Sequence, residues 1–130
     1  MKFAYTILYV EDVEKTMQFY GDAFGFQKKF STPEGDYGEL ISGETTIAFA
    51  SKTLAQSNLD AELLFSKSSK QPFGIELAFT TENIEEDYAK AIEAGAIELA
   101  PIVTKPWGQK VAYVQDINGF LIEICTPIAG

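Results

Sequence analysis

Apolar and polar positions change period along this chain, and the change happens twice. Phe3 to Val10 alternates and is rich in β-formers, which predicts a strand. Asp12 stands where a helix N-cap belongs, with Glu14 in the first turn to meet the positive end of the dipole. Val13, Met17, Tyr20 and Phe24 recur at helical spacing, and Gly25 closes the run. Phe26 to Ser31 predicts a second strand, Pro33-Glu34-Gly35-Asp36 a turn and Tyr37 to Ile41 a third strand. Ser42-Gly43-Glu44 leads into a fourth strand, Thr45 to Ser51. Residues 52–71 are Ser-, Lys- and Gln-rich around an apolar island at Leu63, Leu64 and Phe65. They predict a polar linker with room for one helical turn.

The same order then returns. Gly74 to Thr81 predicts a strand with Ile75, Leu77 and Phe79 on one face. Asn83 is a second N-cap position, with Glu86 three residues on as in a capping box. Ile84, Tyr88 and Ala91 form the helix stripe and Gly95 ends it. Ile97 to Val103 is the next strand, followed by a Lys105-Pro106-Trp107-Gly108 loop around the only tryptophan. Val111 to Gln115, a turn at Asp116-Ile117-Asn118-Gly119 and a strand through Ile124 complete the chain. In that closing strand Ile122 and Ile124 share one face, and Leu121, Glu123 and Cys125 share the other.

Glu11-Asp12-Val13-Glu14 lies over Glu82-Asn83-Ile84-Glu85 when the halves are superposed. The expected fold is therefore α+β: two tandem βαβββ modules, 1–51 and 72–130, in one domain. A helix covers one face of each sheet, so curved mixed sheets should enclose a cup-shaped cleft with the helices outside. The faces opposite the predicted core carry Glu76, Ala78 and Thr80, then Leu121, Glu123 and Cys125, then Thr46, Ala48 and Ala50. Superposition puts Tyr5 where Glu76 stands. Small side chains leave volume for a small molecule. A lone acid on an open sheet face is usually just solvated, but two at repeat-related places point to function. Trp107, beside Pro and Gly, is placed to cap a pocket, whereas the pattern leaves the face of Tyr113 open.

Composition narrows the chemistry. The chain is 46% apolar with ten Phe and six Tyr, enough for one ordinary core. No run of about 18 apolar residues is present, so no membrane span is expected. No secretion signal is expected at the opening strand, and the single Cys125 suits a reducing cytoplasm. Net charge is −9, with no His, and all ten basic residues are Lys. Nucleic acid is a poor partner for such a surface, whereas cationic ligands suit it. Without His, neither a Ser-His-Asp nor a Cys-His device can be built. Chemistry must rest on Glu, Asp, Tyr, Lys or Cys.

The Leu8-Tyr9-Val10-Glu11-Asp12 opening, Phe19-Tyr20, Phe24-Gly25-Phe26 and the Asp116 to Glu123 end together resemble the vicinal oxygen chelate superfamily. It includes glyoxalase I, extradiol dioxygenases, fosfomycin-modifying enzymes and bleomycin resistance proteins. Pro106-Trp107-Gly108 is most similar to the bleomycin resistance branch, which implies a ligand groove lined by Trp107, a homodimer and a role in antibiotic resistance. The resemblance also places the superfamily's four metal-ligand positions at Tyr5, Ala48, Glu76 and Glu123. Ala48 cannot bind a metal and neutral Tyr is a poor ligand, so the set implied is incomplete. Two glutamates alone allow at most weak divalent binding, completed by water and substrate.

Two functions stay open on these residues. The first is sequestration of a small, cationic or aromatic compound without catalysis or cofactor, by Tyr5, Ala48, Glu76, Trp107, Tyr113 and Glu123. The alternative is a metal-dependent lyase, isomerase or dioxygenase with an atypical ligand set, in which Glu76 and Glu123 hold the cation and Tyr5 assists. A metal-free variant would use one glutamate as base.

Overall fold

A computed structural model describes residues 1–128. The chain divides into two compact units, Met1–Phe65 and the part from Ser66 onward. In the first, β1 (Thr6–Val10), α1 (Val13–Phe24), β2 (Gln27–Ser31), β3 (Tyr37–Ser42) and β4 (Thr45–Ser51) precede a short helix, α2 (Lys52–Asn58). In the second, β5 (Glu76–Thr80) and α3 (Ile84–Ala94) are followed by β6 (Ile97–Thr104), β7 (Lys110–Gln115) and β8 (Leu121–Cys125). Each unit forms its own four-stranded mixed sheet, in the order β1-β4-β3-β2 and β5-β8-β7-β6. The matching order and the parallel pairs β1–β4 and β5–β8 bear out the tandem βαβββ expectation.

The two sheets bury the faces the alternation assigned to them. Leu8, Val10, Leu40, Ile47 and Phe49 lie under α1, which contributes Val13, Met17 and Tyr20. Tyr20 and Phe49 meet with ring centroids 4.8 Å apart and both are fully buried. Each such side chain contributes about 1.5–3 kcal/mol by leaving water. Asp12 caps α1 as expected, its Oδ1 accepting from the Lys15 amide at 3.0 Å. In the second unit Val114, Ile122 and Ile124 are buried with Ile84 and Ala91 of α3.

Four expectations need correction. The first strand begins at Thr6, which leaves Phe3 and Tyr5 ahead of it and exposed. Ile75 likewise precedes β5 and is exposed, so it adds nothing to the face of Leu77 and Phe79. The capping box at Asn83 does not form. The Asn83 side chain makes no cap bond, and the Thr81 hydroxyl accepts from the Asn83 amide at 3.0 Å while donating to Asp87. Threonine two residues upstream has the shorter reach to that amide.

The linker is also more ordered than its composition suggested. Ser51 Oγ accepts from the Leu54 amide at 3.0 Å and starts the two-turn helix α2, which buries only Ala55. Further on, the Lys67 carbonyl lies against the β7–β8 turn, and Gln115 Nε2 donates to the Lys70 and Gly119 carbonyls, both at 3.1 Å. That turn hangs on Asp116, whose Oδ1 accepts from the Asn118 and Phe120 amides at 2.8 Å. Gly119 is at φ 89°, and a Cβ there would stand 2.2 Å from the Lys67 carbonyl oxygen. Both the backbone angle and the close approach therefore require glycine.

Candidate functional site

In the second unit, pairing register decides which side chains meet. Glu123 of β8 sits between Ala78 of β5 and Tyr113 of β7, and all three face the side away from α3. Glu76 lies one strand over and diagonal to Glu123, opposite Leu121. The Tyr113 hydroxyl donates to Glu123 Oε1 at 3.0 Å, which settles the face of Tyr113. That hydrogen bond, with burial and the Glu123 charge behind it, raises the Tyr113 phenol above its ordinary range and keeps it a donor.

Glu76 is solvent-exposed, yet its carboxyl is raised above the usual carboxylate range. Partial desolvation is the main cause, followed by a hydrogen bond to Glu123 and that group's charge. The two acids are thus diagonal neighbours on this face, with Tyr113 beside Glu123. Cys125, buried at the end of β8, has its thiol pushed up to about 11 by burial and then by Glu123 and Glu76. It remains a thiol near neutrality.

Trp107 stands at the rim of the same sheet, 62% exposed, in the loop between β6 and β7. Its indole N–H donates to Gln109 Oε1 at 2.9 Å, and Gln109 Nε2 donates to the Thr126 carbonyl at 2.9 Å. Gln109 therefore ties the tryptophan to the residue that follows β8. Spacing alone did not single out Gln109. The available signal was its position two residues after Trp107, where the loop returns to β7.

Tyr5 and Ala48 belong to the first unit. Ala48 is fully buried beside Glu39 and Ile7 in register, so it can floor a site but offers no surface to a ligand. Tyr5 is exposed and within electrostatic reach of Tyr37. The acid on this face is Glu39 of β3, one strand away from the position expected for it. Tyr37 donates to Glu39 Oε2 at 2.7 Å, and Lys29 Nζ lies 3.6 Å from Oε1. The Tyr37 phenol is strongly raised, by burial first and then by Glu39. Sequence reasoning missed this group, although the alternation Tyr37-Gly38-Glu39-Leu40 places both polar residues on the face opposite Leu40.

The donor set does not fit a resident divalent cation. Tyr113 occupies an oxygen of Glu123, the thiol of Cys125 is pushed up to about 11, and Ala48 offers no ligating atom. Among the described residues no group of three or more His, Cys, Asp or Glu stands close enough to hold a metal ion. Nor, among them, is any helix long and apolar enough to cross a membrane.

This architecture matches known proteins across its length. Residues 3–129 match the family model described as a glyoxalase-like domain. The chain belongs to that family, within the vicinal oxygen chelate superfamily. It is 29% identical over 126 residues to the uncharacterized protein YraH of Bacillus subtilis, covering 95% of this chain and 97% of that one. It is 28% identical to a putative lactoylglutathione lyase of Brassica oleracea, covering 95% of this chain but only 43% of that protein. Among solved structures, a glyoxalase-related enzyme from Fulvimarina pelagi superposes with TM-score 0.80 at 21% identity, covering 98% of this chain and 89% of that one.

Proposed function

We propose that this chain binds a small molecule and sequesters it without catalysis, with a ligand-facing side in the second unit made of Glu76, Glu123, Tyr113 and Trp107. The observation that carries this reading is the Tyr113 hydroxyl held on Glu123 Oε1 at 3.0 Å, with Glu76 diagonal to Glu123 on the same face. Such a group can accept and donate hydrogen bonds, and pair with one positive charge, but it lacks the donors that a Lewis-acid centre requires. Trp107, exposed and held by Gln109, supplies a flat apolar face for stacking. Sequestration needs complementary contacts and no activated group. A resistance role, by removing a toxic compound from solution, would follow from such binding.

A second reading has its own support. A carboxyl raised by burial and by a neighbouring acid is the arrangement from which general acid–base catalysis is built, and Glu76 fits it without a metal.

Calorimetric titration of metal-stripped protein with Mn, Ni, Zn and Fe(II) tests the central claim, with Glu76→Ala and Glu123→Ala alongside. No stoichiometric binding is expected. Stoichiometric binding abolished by either substitution would overturn the metal-free reading and send the search to lyase and dioxygenase substrates. A screen of aromatic cations by Trp107 fluorescence follows, and turnover of any hit would favour the acid–base reading.

A further inference from the structure

We infer that the face of the first unit turned away from α1 carries a binding site for an organic ammonium group, built from Glu39, Tyr37, Phe30 and Tyr5 and held in the free protein by the ammonium of Lys29. The inference rests on the reading of this chain as a small-molecule binder and names a ligand class for it. Glu39 and Tyr37 alternate on β3 and so share a face, with Ala48 and Ala50 beside them on β4. Those two alanines are buried, and neither has the bulk to cover the carboxylate. Phe30 pairs with Glu39 from β2, and its ring centroid lies 6.0 Å from that of Tyr37. Phe30 and Tyr5 are each more than 40% exposed, at 42% and 46%. Aromatic faces around a carboxylate attract a cation both through their quadrupoles and through its charge.

Lys29 supplies the second, independent observation. The β2–β3 register shifts between Lys28 and Phe30, so Lys29 is the extra residue of a β-bulge. Bulges re-aim a side chain, and this one sends Nζ to within 3.6 Å of Glu39 Oε1. The Glu39 side chain is only 13% exposed and that of Lys29 is 55% exposed. The carboxylate is thus fixed in the sheet while its cation sits at the surface on a flexible stem. At that distance the ammonium is in ionic contact but outside good hydrogen-bond geometry. It is a tethered stand-in that a better-fitting ammonium can displace. Tyr37, raised in pKa, keeps its proton and stays bonded to the other oxygen of Glu39 when the exchange occurs. The net charge of −9 favours delivery of such a ligand.

The test is an amide chemical-shift titration of isotope-labelled protein with choline, run beside its uncharged tert-butyl isostere. Choline is expected to shift the amides of Phe30, Tyr37 and Glu39, and the isostere is not. Glu39→Gln should weaken choline binding about tenfold or more, because the desolvated charge partner is lost. Lys29→Ala, an edge-strand change that leaves the core alone, should tighten it about two- to fivefold, the worth of an exposed ion pair. Amide shifts at Glu76, Trp107 and Glu123 report on the other unit, so failure of the sequestration reading there is distinguishable from failure here. Shifts confined to β5 and β8, an equal response to the isostere, or a Lys29→Ala affinity no higher than the parent's would each overturn the inference.

Discussion

Cys125 shows how one residue's environment becomes measurable. It ends β8 with its thiol buried, beside Glu123 and near Glu76. Burial and these two acids raise its pKa from 9.0 to about 11, so the folded state holds the thiol proton more tightly than the unfolded state does. The linked stability is fully present below about pH 9 and is lost as pH rises towards 11. The full loss is on the order of 3 kcal/mol, two pH units at about 1.4 kcal/mol each, and tyrosines and lysines titrate over the same range. The informative quantity is therefore the difference from Cys125→Ala. Urea denaturation at steps from pH 7 to about 10.5 should show the parent losing stability faster than the variant. Parallel curves would mean that the thiol is not perturbed. The face of Cys125 was legible in the alternation of β8, as was that of Glu123. Glu39 was not, because the superfamily resemblance placed a ligand position of that unit at Ala48. The register shows the acid displaced one strand sideways, onto β3.

At the scale of elements, composition and periodicity together marked every strand and both long helices, most clearly where a stripe is buried, as in α1, β4, β7 and β8. They failed where little is buried. Helix α2 hides a single residue, Ala55, so no stripe announced it, and only the Ser51 cap marks its start. The start of α3 failed differently. Asn83 and Glu86 had the spacing of a capping box, but Thr81 is bonded both to the Asn83 amide and to Asp87. That difference separates two substitutions. Thr81→Ala should cost about 1–2 kcal/mol by removing the operative cap. Asn83→Ala, whose side chain makes no cap bond, should stay within about 0.5 kcal/mol of the parent. Thermal or urea melts of the two variants decide between the caps, and the reverse ranking would restore the capping box.

For the whole molecule the dominant electrostatic fact is the imbalance of nineteen acidic residues against ten lysines. Lys28, Lys29, Lys52 and Lys110 are paired with Glu14, Glu39, Glu11 and Glu85. Apart from Lys52 and Glu39 these side chains are 43–76% exposed, and such pairs contribute about 0–1 kcal/mol each. Screening by salt weakens these attractions, together with the favourable placement of Glu85, Glu86 and Asp87 at the start of α3. The same screening relieves repulsion among the nine excess negative charges, which act over the full surface rather than at a few contacts. Repulsion involves more partners, so its relief should win. Raising sodium chloride from about 0.01 to 0.15 M, which shortens the screening length from about 30 to 8 Å, is expected to raise the melting temperature. A gain of about 1 kcal/mol would appear as roughly 4 °C in a domain of this size. A melting temperature that falls with salt would show that the local ion pairs and the α3 dipole outweigh the net charge.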